Sequence, residues 1–132
     1  MKTRQTFDPK PDQSPTWAPD GHEIAFTSAR TGTWQIFRKN AETGQQEEQL
    51  TTQPGDKLAP DWGRDGRYLV FVQIGATTAE DIWAMRMDGD DHRPFPVLQT
   101  QSNDSNPALS PDGRWLAYES SQLGRPEIFV MK

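Results

Sequence analysis

Few residues in this chain have the types and spacing that chemistry needs. Asp20, Asp65 and Asp112 each stand directly before a glycine and recur along the chain, so a ring of carboxylates is one reading. The structural reading is preferred, because an Asp beside Gly hydrogen-bonds its own backbone in a tight turn. The stretch "DGDDH" at residues 88–92 is acidic enough to suggest calcium, but it lacks the D-x-[DN]-x-[DN]-G spacing and distal Glu of a calcium loop. The two histidines, His22 and His92, are isolated, without the local partner spacing of a zinc site or a triad. Arg67 and Arg114 recur where His22 stands, which marks that position as a solvated polar one. No G-x-S-x-G elbow, phosphate-binding glycine loop or regular basic stripe is present. "NDS" at residues 103–105 matches a glycosylation acceptor but carries no weight without a secretory signal. No catalytic residue, metal or cofactor is therefore expected.

Composition narrows the classes further. A length of 132 residues suits about one domain. The apolar fraction is only 33% and the net charge −5, yet five Trp and six Phe fall within periodic runs, so a folded chain is expected. An acidic balance argues against nucleic acid or an anionic membrane as partner. There is no cysteine, hence no disulfide, thiolate metal site or Cys nucleophile. The start, "MKTRQTFDPKPDQ", has no apolar leader segment, which points to the cytoplasm unless a leader has been removed.

The elements that would position any site come from a repeat. "SPTWAPDGHEIAFTS", "APDWGRDGRYLVFVQ" and "NPALSPDGRWLAYES" are three copies of one phrase, with the turn glycine at Gly21, Gly66 and Gly113, 45 and 47 residues apart. "WQIFRK", "DIWAMR" and "EIFVMK" keep step, with Ile36, Ile82 and Ile128 at intervals of 46. Two landmarks with one period define a repeat protein. Within each copy an incoming strand carries Trp17, Trp62 or Leu109 into an Asp-Gly turn. The next strand alternates, placing Ile24/Phe26, Leu69/Phe71 and Leu116/Tyr118 on one face. Gly-bearing loops ("SARTG", "QIGAT", "SQLG") lead to a third strand whose adjacent apolar residues imply cover on both faces. Polar turns ("NAETGQQ", "MDGDDHR") then lead to short fourth strands ending at Leu50 and Leu98. Four antiparallel strands in roughly 40–45 residues are the signature of a β-propeller blade.

These phrases resemble the TolB-like (WD40-like) β-propeller repeat, and the resemblance covers nearly the whole chain. Gly63-Arg64 replaces the family's Ser-Pro, and Leu109 its Trp; both keep the turn and the apolar contact. The resemblance implies an all-β fold of propeller blades. It also implies binding of other proteins, since the family commonly forms six-bladed propellers that do so. TolB itself is periplasmic, and some related propellers are attached to lyase or peptidase chemistry. Fold alone does not assign a function.

The expected organisation is a three-blade half-propeller, with blades at residues 13–51, 57–99 and 104–132 and an outer strand with linker at residues 1–12. In a propeller the innermost strand of each blade lines the tunnel, so Gln13, Ser14, Lys57, Leu58, Ser105 and Asn106 are the candidates for binding a protein or peptide at its mouth. Trp17, Trp62 and Trp83 occupy repeat-core positions and are expected to pack, whereas Trp34 and Trp115 are candidates for exposure. Thr3, Arg4, Gln5 and Thr6 align with the end of a fourth strand, 45 residues before its counterpart, and the third copy lacks that strand. The tally is three blades' worth of strands, too few for a ring of roughly four to eight blades. Two chains give six blades and three would give nine. A homodimer is expected, in which residues 3–6 of one chain pair with the strand of Ile128 and Val130 in the other. Two other readings stay open: an excised or engineered half-propeller without activity of its own, and the propeller part of a metal-dependent lyase or a peptidase.

Overall fold

The computed structural model of the chain describes residues 1–44, 46–75 and 79–132. Gln45, in the expected turn "NAETGQQ", and residues 76–78, which take in part of the loop "QIGAT", lie outside the described residues. Among the described residues all regular structure is strand, in three antiparallel sheets. Blade 1 is β1 (Asp12–Trp17), β2 (Glu23–Ser28), β3 (Gln35–Asn40) and β4 (Glu48–Gln49), and blade 2 is β5 (Lys57–Trp62), β6 (Tyr68–Ile74), β7 (Glu80–Arg86) and β8 (Phe95–Leu98). Blade 3 holds β9 (Asp104–Leu109), β10 (Leu116–Ser120) and β11 (Glu127–Met131), which leaves β11 as its outer edge.

The Asp-Gly turns are built alike in all three blades. Asp20, Asp65 and Asp112 accept the amides of His22, Arg67 and Arg114 at 2.8, 3.0 and 3.1 Å. The following glycines take φ of 75°, 77° and 72°. That backbone favours glycine, and at Gly113 space demands it as well: a Cβ there would meet Asp65 Oδ2 of the neighbouring blade at 2.3 Å.

Asp112 is held at about 2, below its ordinary 3.8, first by the Ser110 hydroxyl and then by the Arg114 amide and guanidinium. A carboxyl whose folded value lies below its unfolded one stabilises the fold at higher pH, and that contribution is lost as pH falls toward the folded value. Asp112→Ala is therefore expected to lower the thermal midpoint at neutral pH. Its gap to the unsubstituted chain should narrow from about pH 5 to about pH 2. A gap of constant width across that range would show that charge plays no part in the turn.

Strand register sorts the alternating residues into two faces per blade. The pairs Ile24–Lys39 and Phe26–Phe37 lie on one face of blade 1, with Ala25–Arg38 and Thr27–Ile36 on the other. The core is not a single centre but a layer at each blade–blade contact. Ala25, Ile36 and Leu50 of blade 1 pack with Trp62, Leu69, Phe71, Trp83 and Met85 of blade 2. Val70, Ile82 and Ala84 of blade 2 pack with Leu116, Tyr118, Phe129 and Met131 of blade 3. The adjacent pair Ile82-Trp83 thus serves both neighbours of blade 2, as the doubly covered third strand requires.

The outer blades show what lacks a neighbour. Ile128 and Val130, at the positions of Ile82 and Ala84, are 73% and 62% exposed, whereas Ile36 and Ile82 are fully buried. Trp17 was expected to pack, but it is 58% exposed while Trp62 is 8% exposed. Trp62 is covered by blade 1, whereas among the described residues no blade packs over Trp17. Phe26 and Phe37 stay buried because the Arg30 guanidinium lies 4.4 Å from the Phe37 ring centre and residues 5 and 6 lie beside Phe26.

Candidate functional site

The three inner strands, β1, β5 and β9, share a local defect that positions the site. In each, two residues oppose one on the neighbouring strand: Ser14-Pro15 opposite Phe26, Ala59-Pro60 opposite Phe71, and Asn106-Pro107 opposite Tyr118. These are β-bulges, which re-aim side chains at sheet edges. Ser14, Ala59 and Asn106 have φ of 54°, 50° and 50°, a left-handed backbone rarely adopted by residues with side chains and costing each roughly 1–2 kcal/mol. The proline that follows has no amide hydrogen to leave unpaired in the bulge. Sequence reasoning missed the bulges, although X-Pro pairs recurring at the repeat interval were the visible signal.

The bulges place Ser14, Ala59 and Asn106 around one cleft of 470 Å³. Five of the six residues expected at the tunnel mouth line it, namely Gln13, Ser14, Leu58, Ser105 and Asn106. Asn106 Nδ2 donates to Glu119 Oε2 at 3.3 Å across the rim, and Glu80 adds a second carboxylate. The lining offers amide, hydroxyl and carboxylate groups with apolar patches at Leu58 and Val72. Such a surface can hydrogen-bond an extended chain.

Lys57 departs from the expectation. It is fully buried and does not line the cleft; its Nζ donates to the main-chain oxygens of Gln53, Pro54 (3.1 Å) and Gly55 (2.7 Å). Burial lowers its pKa, with Asp56 opposing that shift. Its work is to fasten the connection between blades 1 and 2. Trp34 caps the same connection, its amide donating to Asp56 Oδ1 at 2.9 Å and its carbonyl accepting from the Lys57 amide at 2.7 Å.

The other residues singled out from sequence are engaged locally. His22, exposed, has Nδ1 3.1 Å from Glu42, and His92, half-buried, has Nδ1 2.7 Å from the Arg86 carbonyl. Within "DGDDH", Asp88 pairs with Arg86 at 2.6 Å and Asp91 accepts the Arg93 amide at 3.0 Å. Among the described residues no group of three or more His, Cys, Asp or Glu is placed to hold a metal ion. Trp34 is half-buried and Trp115 is 43% exposed. Thr3, Arg4, Gln5 and Thr6 form no strand within the single chain. Lys39 Nζ instead donates to the Gln5 carbonyl at 2.6 Å, and Arg4 Nε to the Thr6 carbonyl at 2.7 Å.

Residues 1–95 match the family model described as TolB beta propeller domain. The protein TolB homolog of Chlorobium luteolum is 30% identical over 118 residues, covering 89% of this chain and 26% of that protein. TolB from Acinetobacter baumannii superimposes with a TM-score of 0.76 at 24% identity, over 92% of this chain and 29% of that one. A TolB-type structure from Agrobacterium tumefaciens gives 0.79 at 23% identity, over 92% of this chain and 46% of that one. The chain therefore spans between a quarter and a half of the length of these proteins. Among the described residues no helix is long and apolar enough to cross a membrane.

Proposed function

Because the chain belongs to the TolB beta propeller domain family, we propose that it is a non-catalytic scaffold whose cleft holds a protein or peptide partner. The observation that carries this is the cleft itself: three equivalent bulges turn Ser14, Ala59 and Asn106 of separate blades onto one concave polar surface. Backbone strain kept at the same position in all three blades supports a role for that rim beyond packing. The experiment is site-specific photocrosslinking from position 105 in cells, followed by binding measurements on the protein captured. Asn106→Arg fills the rim with a long cation and is expected to weaken that binding about tenfold or more. Unchanged binding would remove the cleft from the function. A stoichiometric transition metal in the purified protein would favour lyase chemistry instead.

We further propose that the 132-residue chain completes its ring with a second copy, six blades in all. The chain carries both halves of a contact that it already makes twice. Ile128 and Val130 repeat the face that blades 1 and 2 present forward, and Trp17, Ile24 and Phe26 repeat the face that blades 2 and 3 present backward. Sedimentation at micromolar concentration should give twice 15.0 kDa; a stable monomer would refute the ring. The family also makes the periplasm the proposed compartment. The cytoplasmic expectation gains no support, since it rested only on the absence of a leader within these residues. Fractionation of the full gene product tests the compartment, and recovery in the cytoplasm would overturn it.

A further inference from the structure

The segment ahead of β1 already stands where the outer strand of a preceding blade would stand. Leu50, at the outer end of blade 1, packs in one cluster with Met85 of blade 2. Leu98 and Met131 are matched in the same way between blades 2 and 3. Gln5 is the repeat equivalent of Leu50, 45 residues earlier, and Lys39 that of Met85, 46 residues earlier. Lys39 Nζ donates to the Gln5 carbonyl at 2.6 Å, so the first pair of the series is also made, with a polar link in place of an apolar one. Lys39 is buried, its ammonium lies 5.5 Å from the centre of the Phe7 ring, and Arg4 lies 5.1 Å from the same ring. The apolar character missing at Gln5 is thus matched by a change at its partner position.

We propose that Lys39 and Gln5 form a latch that holds residues 3–6 as a ready outer strand, onto which the open β11 edge of a second copy docks. This rests on the six-bladed ring proposed above. The surroundings of Thr51 specify what the second copy contributes. Thr51 is fully buried; its hydroxyl accepts the Ile36 amide at 2.8 Å and donates to Gln35 Oε1 at 2.7 Å, while the Leu50 amide donates to the Ile36 carbonyl at 2.7 Å. By the repeat, Thr6 takes the place of Thr51 and Gln5 that of Leu50. The partner's Ile128 takes the place of Ile36, and the partner's Glu127 that of Gln35. The same three bonds then form between chains, with a carboxylate replacing an amide as acceptor, which strengthens that bond. Glu127 already accepts from Arg125 at 2.6 Å, and a carboxylate has lone pairs for a further donor.

The test is a dilution series of the 132-residue chain by analytical ultracentrifugation, with circular dichroism confirming the fold. Lys39→Met removes the latch donor, and Thr6→Val removes the hydroxyl from a segment that contributes no strand to the single chain. Each is expected to raise the dimer dissociation constant about tenfold. Lys39→Met combined with Gln5→Leu installs the residues of the other two contacts and should recover most of the loss from Lys39→Met. A dimer indifferent to both single substitutions overturns the latch and leaves the ring standing. An unsubstituted chain that stays monomeric overturns the ring and the latch together. A double variant no tighter than Lys39→Met overturns the pairing of Gln5 with Lys39.

Discussion

Ile128→Asp is expected to leave the single chain folded and to abolish its self-association. Ile128 is 73% exposed, so within one chain the substitution stays near the roughly ±0.5 kcal/mol of a surface change, plus a modest penalty for Asp in a strand. In the proposed ring the same position would become the counterpart of Ile36 and Ile82, which are fully buried. A carboxylate buried there without a partner costs on the order of 3 kcal/mol or more. The two-fold ring contains the contact twice. The concentration of half-dissociation should therefore rise by about ten-thousandfold or more, at roughly 1.4 kcal/mol per factor of ten. Sedimentation of the variant at tens of micromolar should show a monomer with an unchanged circular dichroism spectrum. A dimer of unaltered affinity would mean that blade 3 meets nothing through this face.

Trp62→Ala is expected to cost about 3–5 kcal/mol of folding stability, as deletion of a large buried aromatic does. Its repeat counterpart should behave differently. Trp17 is 58% exposed, and in dilute solution Trp17→Ala should cost less than about 1 kcal/mol. At concentrations where the ring forms, Trp17 acquires a preceding blade and its deletion should become several-fold more costly. Urea unfolding at two protein concentrations reads both effects. Since whole domains have only about 5–15 kcal/mol of stability, the Trp62 variant should unfold at visibly lower urea. Equal costs for the two tryptophans in dilute solution would contradict the absence of cover over Trp17. A concentration-independent cost at Trp17 would count against closure through the blade 1 face.

The strands, turns and blade faces were legible in the sequence because each is a short-range pattern. A Pro-Asp-Gly phrase followed by alternating apolar residues specifies a hairpin over a dozen positions, and three copies in step fix the register without tertiary information. The placement of five residues around the cleft follows by the same route, from their place on the inner strand. What failed depended on neighbours distant in sequence. Trp17 and Trp62 share a repeat position, and only the presence of another blade distinguishes them. Lys57 was expected at the tunnel mouth, but the carbonyls of residues 53–55 close over it. The left-handed backbone at Ser14, Ala59 and Asn106 was hidden because none of these residues is glycine; the following prolines were the only local sign.

One consequence of the proposed end-to-end contact concerns polymerisation. A forward face that fits a backward face is a head-to-tail contact, and repeated association through it either closes or continues without limit. The choice is made by angle alone. If each blade-to-blade step turns the chain by one sixth of a circle, two copies meet themselves and growth stops. If the step misses that value by more than the interface can absorb, the same side chains build an open helical fibre. In the proposed ring the rotation between neighbouring blades would therefore set solubility as much as shape, because it alone would separate a soluble particle of fixed mass from a filament.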